Sequence, residues 1–315
     1  MRRAIIDDRL GARVRSVRPL VYTDTGDPDD DRPPHVRAAS GIAVRGEDLL
    51  VIQDDASFIA RVRGDDVTAI ALPRGAGGRR RFEIALGNKL DKLDLEACVV
   101  VDGELWAFGS GSLPVRETIC RLIGDAAEQI VIVDGSRFYA GVRDALGSLL
   151  NIEGVACVGD ELWLFHRGNT GPADRGPAVA RVELAGFRRF LAGDAPPAVR
   201  AVDRYDLGEV SGIRIGFTDA CAFDDRVFFV AAAEASIDAI ADGLVLASQL
   251  GVIEGDVVRA IPLAIGGAPC KVEGLALTLQ DRAWIAVDPD DAEVPTQLHE
   301  VDLIGPWRGS SHGNH

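Results

Sequence analysis

Four carboxylates and one serine head a short phrase that recurs along the chain. Ser40 opens SGIAV, Glu96 lies in LEACVV, Glu153 in IEGVAC, Asp219 in TDACAF and Glu273 in VEGLAL. Brought to one level, oxygen donors of this kind suit a hard divalent cation such as Ca2+, which takes six to eight oxygens and tolerates irregular geometry. His and Cys are largely absent from these positions, which disfavours zinc. Without a metal, four converging carboxylates must be protonated or matched by cationic side chains. An acid at the head of a strand can equally serve as a plain acceptor for neighbouring backbone N–H groups, so a structural role stands beside the metal one.

The cations sharpen the choice. Only three lysines, Lys89, Lys92 and Lys271, stand among the 34 basic residues, and each lies within seven residues before one of the recurring acids. A compact ammonium is a natural partner for carboxylate or phosphate in a tight site. Lys92, Lys271, Arg116 and Arg167 are therefore candidates to bind an anionic substrate, with neutralisation of the ring as the alternative. His166 could act as an acid or base near neutral pH, or simply be a hydrogen-bonded rim residue. Asp54, Ser110, Ser112, Asn169, Glu234 and Asp288 are expected on the same face. No GxSxG elbow, Walker loop or HExxH occurs, and no covalent nucleophile stands out.

The elements that must position these residues form a repeat. Each phrase continues through a polar turn (RGED, VDGE, VGDE, DDR, LQDR) into a second apolar run, LLVIQD, LWAFGS, LWLFHR, VFFVAA or AWIAVD. Strand, tight turn and strand at intervals of 54 to 66 residues is the signature of an all-β propeller. Five blades beginning near residues 40, 96, 153, 219 and 273 account for the phrases, and a sixth would require an atypical unit. The last unit has room for three strands, so a strand at 14–22 is expected to complete it and close the ring. Trp106, Trp163, Phe229 and Trp284 should be inter-blade core, and Leu50 shares the offset from the phrase. The acidic, proline-rich TGDPDDDRPP is expected to be an exposed, solvated loop, and a short helix is expected between Ser236 and Gly243.

A single domain over 1–315 follows from repeats that run throughout. A net charge of −15 argues against nucleic acid. No stretch has membrane-spanning length, the first residues lack a signal-peptide core, and five cysteines without CxxC point to a cytoplasmic, disulfide-free protein.

With Ser, Glu, Glu, Asp and Glu at the five positions, the chain resembles the soluble calcium-activated nucleotidases (apyrases), five-bladed propellers that hold one Ca2+ in the central channel. Carried across, the resemblance implies Ser40, Glu96, Glu153 and Glu273 as ligands; Asp219 departs from the serine of that family. The EGxA wording of IEGVA and VEGLA also resembles bacterial phytase-like and esterase-like propellers. These resemblances imply a calcium-dependent hydrolase of an anionic, phosphate-containing substrate. The alternative is a non-catalytic propeller with a structural ion whose funnel binds a small ligand or protein.

Overall fold

The computed structural model describes residues 1–124, 127–169, 171, 173–235, 243–279 and 281–307. Two strands come first, β1 (Arg2–Ile6) and β2 (Gly11–Pro19), where the sequence suggested one at 14–22. Four antiparallel units follow in order. Unit 1 is β3 (Ala39–Arg45), β4 (Asp48–Gln53), β5 (Phe58–Arg63) and β6 (Asp66–Ala71). Unit 2 is β7 (Leu95–Val101), β8 (Glu104–Gly109), β9 (Thr118–Ile123) and β10 (Gln129–Asp134). Unit 3 is β11 (Ile152–Val158), β12 (Glu161–His166), β13 (Ala178–Glu183) and β14 (Val199–Asp206). A two-residue hairpin, β15 (Glu209–Val210) and β16 (Ile213–Arg214), leads into unit 4: β17 (Gly216–Phe223), β18 (Arg226–Ala235), β19 (Leu244–Glu254) and β20 (Val257–Pro262). Unit 5 has three consecutive strands, β21 (Lys271–Leu279), β22 (Arg282–Asp288) and β23 (Gln297–Ile304), and β2 pairs antiparallel with β23 as its fourth.

The result is all-β and propeller-like. The first strands of successive units pack side by side, β3 on β7, β7 on β11, β11 on β17, β17 on β21 and β21 back on β3. Apolar side chains fill five clusters, one between each pair of neighbouring units. Leu50, Trp106, Trp163 and Phe229 are buried in these clusters and Trp284 packs against one from a half-buried position. β1 lies parallel to both β14 and β20, so the outer edges of units 3 and 4 join into one nine-stranded sheet.

Two helices were not legible in the repeat. α1 (Ser136–Leu146) and α2 (Leu184–Leu191) bury Phe138, Tyr139, Phe187 and Phe190 in the joint between units 2 and 3, with the Phe138 and Phe187 rings 4.9 Å apart. The helix expected after Ser236 falls on 236–242, outside the described residues. From Leu244 onward the chain is strand, because β19 pairs on both sides, with β18 and β20. The acidic loop at 25–34 does more than solvate. Asp31 is buried and accepts the backbone N–H groups of Arg80 and Arg81, while Asp30 pairs with Arg74 and Arg80. Among the described residues, no helix is long and apolar enough to cross a membrane.

The pairing of β2 with β23 ties residues nearly 300 positions apart. Deleting residues 1–19 should strip β23 of its outer partner and lower the melting temperature by roughly 10 °C or more, since several kcal/mol of edge pairing and packing disappear. Differential scanning calorimetry checks this; unchanged melting would show that β2 is dispensable to the ring.

Candidate functional site: the mouth of the central channel

The repeated phrase encodes a β-bulge. In each first strand the pairing register shifts by one residue near its start, between Ala39 and Gly41, Leu95 and Ala97, Ile152 and Gly154, Phe217 and Asp219, and Val272 and Gly274. The unpaired residues are Ser40, Glu96, Glu153, Thr218 and Glu273. A bulge re-aims the side chain of its extra residue out of the pleat. The fourth member of the ring is therefore Thr218, one residue before the acid singled out by the sequence phrase.

Asp219 is correspondingly shifted to the level of Gly41, Ala97, Gly154 and Gly274. At Gly154 an added Cβ would lie 3.0 Å from Ala220 N, and at Gly274 one would lie 2.8 Å from Ile42 Cγ1. The EG and SG of the phrase thus mark close backbone approach at the axis. Asp219 uses its longer side chain to satisfy that backbone: it accepts N–H bonds from Leu275 and Ala220, both 2.7 Å, and a further one from Ile42. Burial pushes its carboxyl well above the usual range, although these backbone donors oppose the shift. Its oxygens serve three different strands. Ser40 also bridges strands, its hydroxyl donating to the Leu95 carbonyl.

Around this ring stand two ionic clusters. On the side of units 1 and 2, oxygens of Asp54, Asp94 and Glu96 lie within 4.8 Å of one another. Lys92, buried, places its ammonium 2.6 Å from Asp54 and 2.7 Å from Asp94. Arg116, also buried, reaches Asp94 and Ser112, both at 2.9 Å, and Ser110 donates to Asp94. Asp94 escaped the sequence reading although it stands only two residues before Glu96. Lys92 and Arg116 hold its carboxyl below the usual range against the opposing effect of burial. Glu96 is pushed well up by burial and by the charges of Asp54 and Asp94.

On the side of units 3 and 4, Arg167 grips Glu153 at 3.0 and 3.1 Å and Glu234 at 2.7 Å. Asn151 adds a second donor to Glu153 and also reaches Asn169. Burial still raises Glu153 to about 7, with Arg167 acting against it. Glu273, buried, is raised by burial against the pull of Arg167 and Lys271. Lys271 bridges Asp288 and Asp290. With Lys89 it lines a pocket of about 270 Å3 beside the mouth, whose wall also holds Arg37, Asp54, Asp55 and Phe82. All three lysines thus gather around the mouth, Lys89 and Lys271 on the pocket wall and Lys92 against Asp54. His166 is set apart from the ionic ring. It is fully buried, its Nδ1 accepts the Asn151 N–H, and its Nε2 faces Asp174 at 3.1 Å. That pattern places the proton on Nε2 and uses both ring nitrogens within the fold.

Chemically the ring offers two hydroxyls and three carboxylates, an oxygen-only donor set suited to a hard cation. Thr218 is fully buried and, among the described residues, its hydroxyl has no hydrogen-bond partner. Among the described residues, neither Glu96 nor Glu273 accepts a side-chain hydrogen bond. Internal cations meet part of the remaining demand: Lys92 and Arg116 in one cluster, Arg167 in the other.

A carboxyl whose proton is held more tightly in the folded than in the unfolded chain stabilises the fold at low pH and loses that contribution as pH rises through its folded value. Glu273→Gln should therefore come closest to the wild type at low pH and gain on it in chelator as pH rises from 5 to 8, because the neutral amide has no proton to lose. Urea unfolding at the two pH values measures this. A variant equally weakened at both would mean that Glu273 is ionised and favourably paired.

Among solved structures, the chain is similar to a protein provisionally named a gluconolactonase, with 12% identity and a TM-score of 0.44, covering 95% of each chain. It is similar at 11% identity and a TM-score of 0.42 to a provisionally exported protein of Bacteroides fragilis, covering 96% of this chain and 98% of that one. A third similarity, at 11% identity and a TM-score of 0.35, is to the extracellular domain of a provisionally assigned hybrid two-component system from B. thetaiotaomicron; it covers 83% of this chain but only 28% of that one. These likenesses are too distant to bear on chemistry. No curated protein matches the chain. Residues 35–303 match the model of a single family, described as a family of unknown function (DUF6929), and the chain belongs to that family.

Proposed function

We propose that the chain is a single five-bladed β-propeller domain, each four-stranded unit a blade, that holds a divalent cation, Ca2+, in the ring of Ser40, Glu96, Glu153, Thr218 and Glu273. The observation that carries this reading is the buried Thr218 hydroxyl without a partner, at the same bulge position as three glutamates and a serine. With Thr218 in place of Asp219, the order Ser, Glu, Glu, Thr, Glu comes closer to the calcium-activated nucleotidases, because the fourth position again carries a hydroxyl. A cation would favour the ionised forms of Glu96 and Glu273 against the opposing effect of burial.

Calcium-dependent hydrolysis of a small, anionic, phosphate-containing substrate is the activity proposed for this mouth. Bound there, the ion would supply charge stabilisation to a phosphoryl oxygen. The chain's own contribution is positional. Lys89 and Lys271 on the pocket wall would draw the anion in, against an otherwise acidic rim. Arg167 is held on two carboxylates and would fix the orientation of Glu153. Lys92 and Arg116 are buried in ion pairs with Asp94 and would keep that side of the ring in place. The location proposed for the protein is cytoplasmic. The second reading, a structural ion with a ligand-binding funnel, is favoured by one observation: Lys92, Arg116, Arg167 and Lys271 already spend their charge on carboxylates of the protein.

Lys92 is therefore unsuited to a test of turnover, since its removal would leave buried carboxylates unpaired at a cost of about 3–5 kcal/mol. The informative variants are Thr218→Val and Lys271→Met. Thr218→Val should abolish the rise in melting temperature that Ca2+ gives the wild type, an ion that binds only the folded state being stabilising by mass action. Phosphate release from nucleoside di- and triphosphates and simple phosphate esters should require Ca2+ and should fall about tenfold or more in folded Lys271→Met, as expected for a lost charge-assisted hydrogen bond. Calcium stabilisation without release from any of these substrates would retain the ion and favour the binding reading. Melting indifferent to both calcium and chelator would remove the ion altogether.

A further inference from the structure

On the face of the disc that carries the mouth, a second concavity lies at the rim between units 3 and 4. First strands begin and second strands end at the mouth, so the end of β14, the start of β19 and the end of β20 lie on that same face. There, residues from β1, the β14–β16 segment, β19 and β20 line a cleft of about 880 Å3. That volume falls in the range of small-molecule sites, about 300–1,000 Å3.

Three polar residues of its lining bear on what it could hold. Gln249 is 7% exposed and its amide nitrogen donates to the Leu207 carbonyl at 3.2 Å, which fixes Oε1 as an acceptor; among the described residues that buried oxygen has no donor. An orphaned buried acceptor costs about 1–3 kcal/mol. Arg175 and Arg214 also line the cleft, and among the described residues neither is ion-paired, in a chain where acids outnumber bases 49 to 34. Arg214 reaches only the Asp174 carbonyl, at 3.4 Å. The charge of Arg175 is felt nearby: together with burial, the larger cause, it pushes the Arg204 guanidinium below its ordinary range. Pro177, Ile215 and Pro262 supply apolar wall, while Asp206, paired with Arg3, and Glu209 also line the cleft.

We infer that this cleft binds a small amphipathic anion, its acid group on Arg175 and Arg214, an N–H or O–H on Gln249 Oε1, and its apolar body against Pro177, Ile215 and Pro262. The arrangement has the few convergent polar groups on an apolar wall that orient a ligand. A carboxylate and a phosphate ester share this chemistry, and competition separates them. The inference is independent of the ring, since none of these residues belongs to it.

The probe is 8-anilinonaphthalene-1-sulfonate, an amphipathic anion with one N–H, titrated by fluorescence into the folded full-length chain. Saturable one-to-one binding is expected. Arg175→Met/Arg214→Met should weaken it about tenfold or more, and Gln249→Leu about three- to tenfold, as the net worth of charged and neutral hydrogen bonds implies. N-phenyl-1-naphthylamine, which lacks the sulfonate, should bind the arginine variant and the wild type alike. Displacement by phenylacetate would make the natural head group a carboxylate, and displacement by phenyl phosphate a phosphate. Circular dichroism and an unchanged melting temperature establish that the variants are folded. Binding that fails to saturate, or that changes less than about twofold in both folded variants, would overturn the inference.

Discussion

Five strands meet at the axis of this molecule, and each presents there an edge that no sixth strand can cover. Backbone N–H and C=O groups on such an edge must find partners or lose the free energy of a hydrogen bond. The chain meets this demand with a bulge at one level in every unit and with side chains that cross from strand to strand. Asp219 serves β17, β21 and β3 at once, and Ser40 ties β3 to β7. Small residues after the bulge, glycine in three units and alanine in one, let the strands come close enough for these stitches. The ring of oxygen donors is a by-product of the same geometry, because each bulge turns one side chain away from the ladder.

The electrostatics of the mouth follow from that closure. Carboxylates forced together in a buried funnel repel, and their protons are held more tightly. Lys92, Arg116 and Arg167 are the fixed response to this repulsion, and each is ion-paired with a carboxylate of the mouth. Buried pairs of this kind add little net stability over apolar packing, yet removing one partner is costly. Their effect is to fix where each oxygen points, so the mouth has a defined shape.

Much of this was legible in the residues. The repeat gave the strand–turn–strand units, and Leu50, Trp106, Trp163 and Phe229 fell in the inter-unit core because apolar residues at a fixed offset from a turn share one environment. The lysines gathered where their rarity suggested. The fourth ring position did not emerge, because the phrase was aligned on acids. Alignment on the small residue after the bulge fails there too, since Asp219 replaces it; only the ladder register exposes the slip. Both helices were missed for a different reason. Eight to eleven residues inserted beside a strongly periodic strand pattern carry too few turns to compete with it, and their helicity is fixed by the aromatic cluster they complete. His166 illustrates the limit of residue type: a histidine in the right place is here engaged on both nitrogens.

The placement of β1 and β2 bears on how the protein is made. On the ribosome these strands are made before their partners β14, β20 and β23, which lie between 199 and 304. The two strands must therefore wait unpaired until those partners have been synthesised. At translation rates of about 5–20 residues per second that wait lasts on the order of tens of seconds. Until β1 and β2 dock, the outer edges of units 3, 4 and 5 stay open to pairing with other chains, so the time to make residues 199–304 sets how long the fold is exposed to edge-to-edge association.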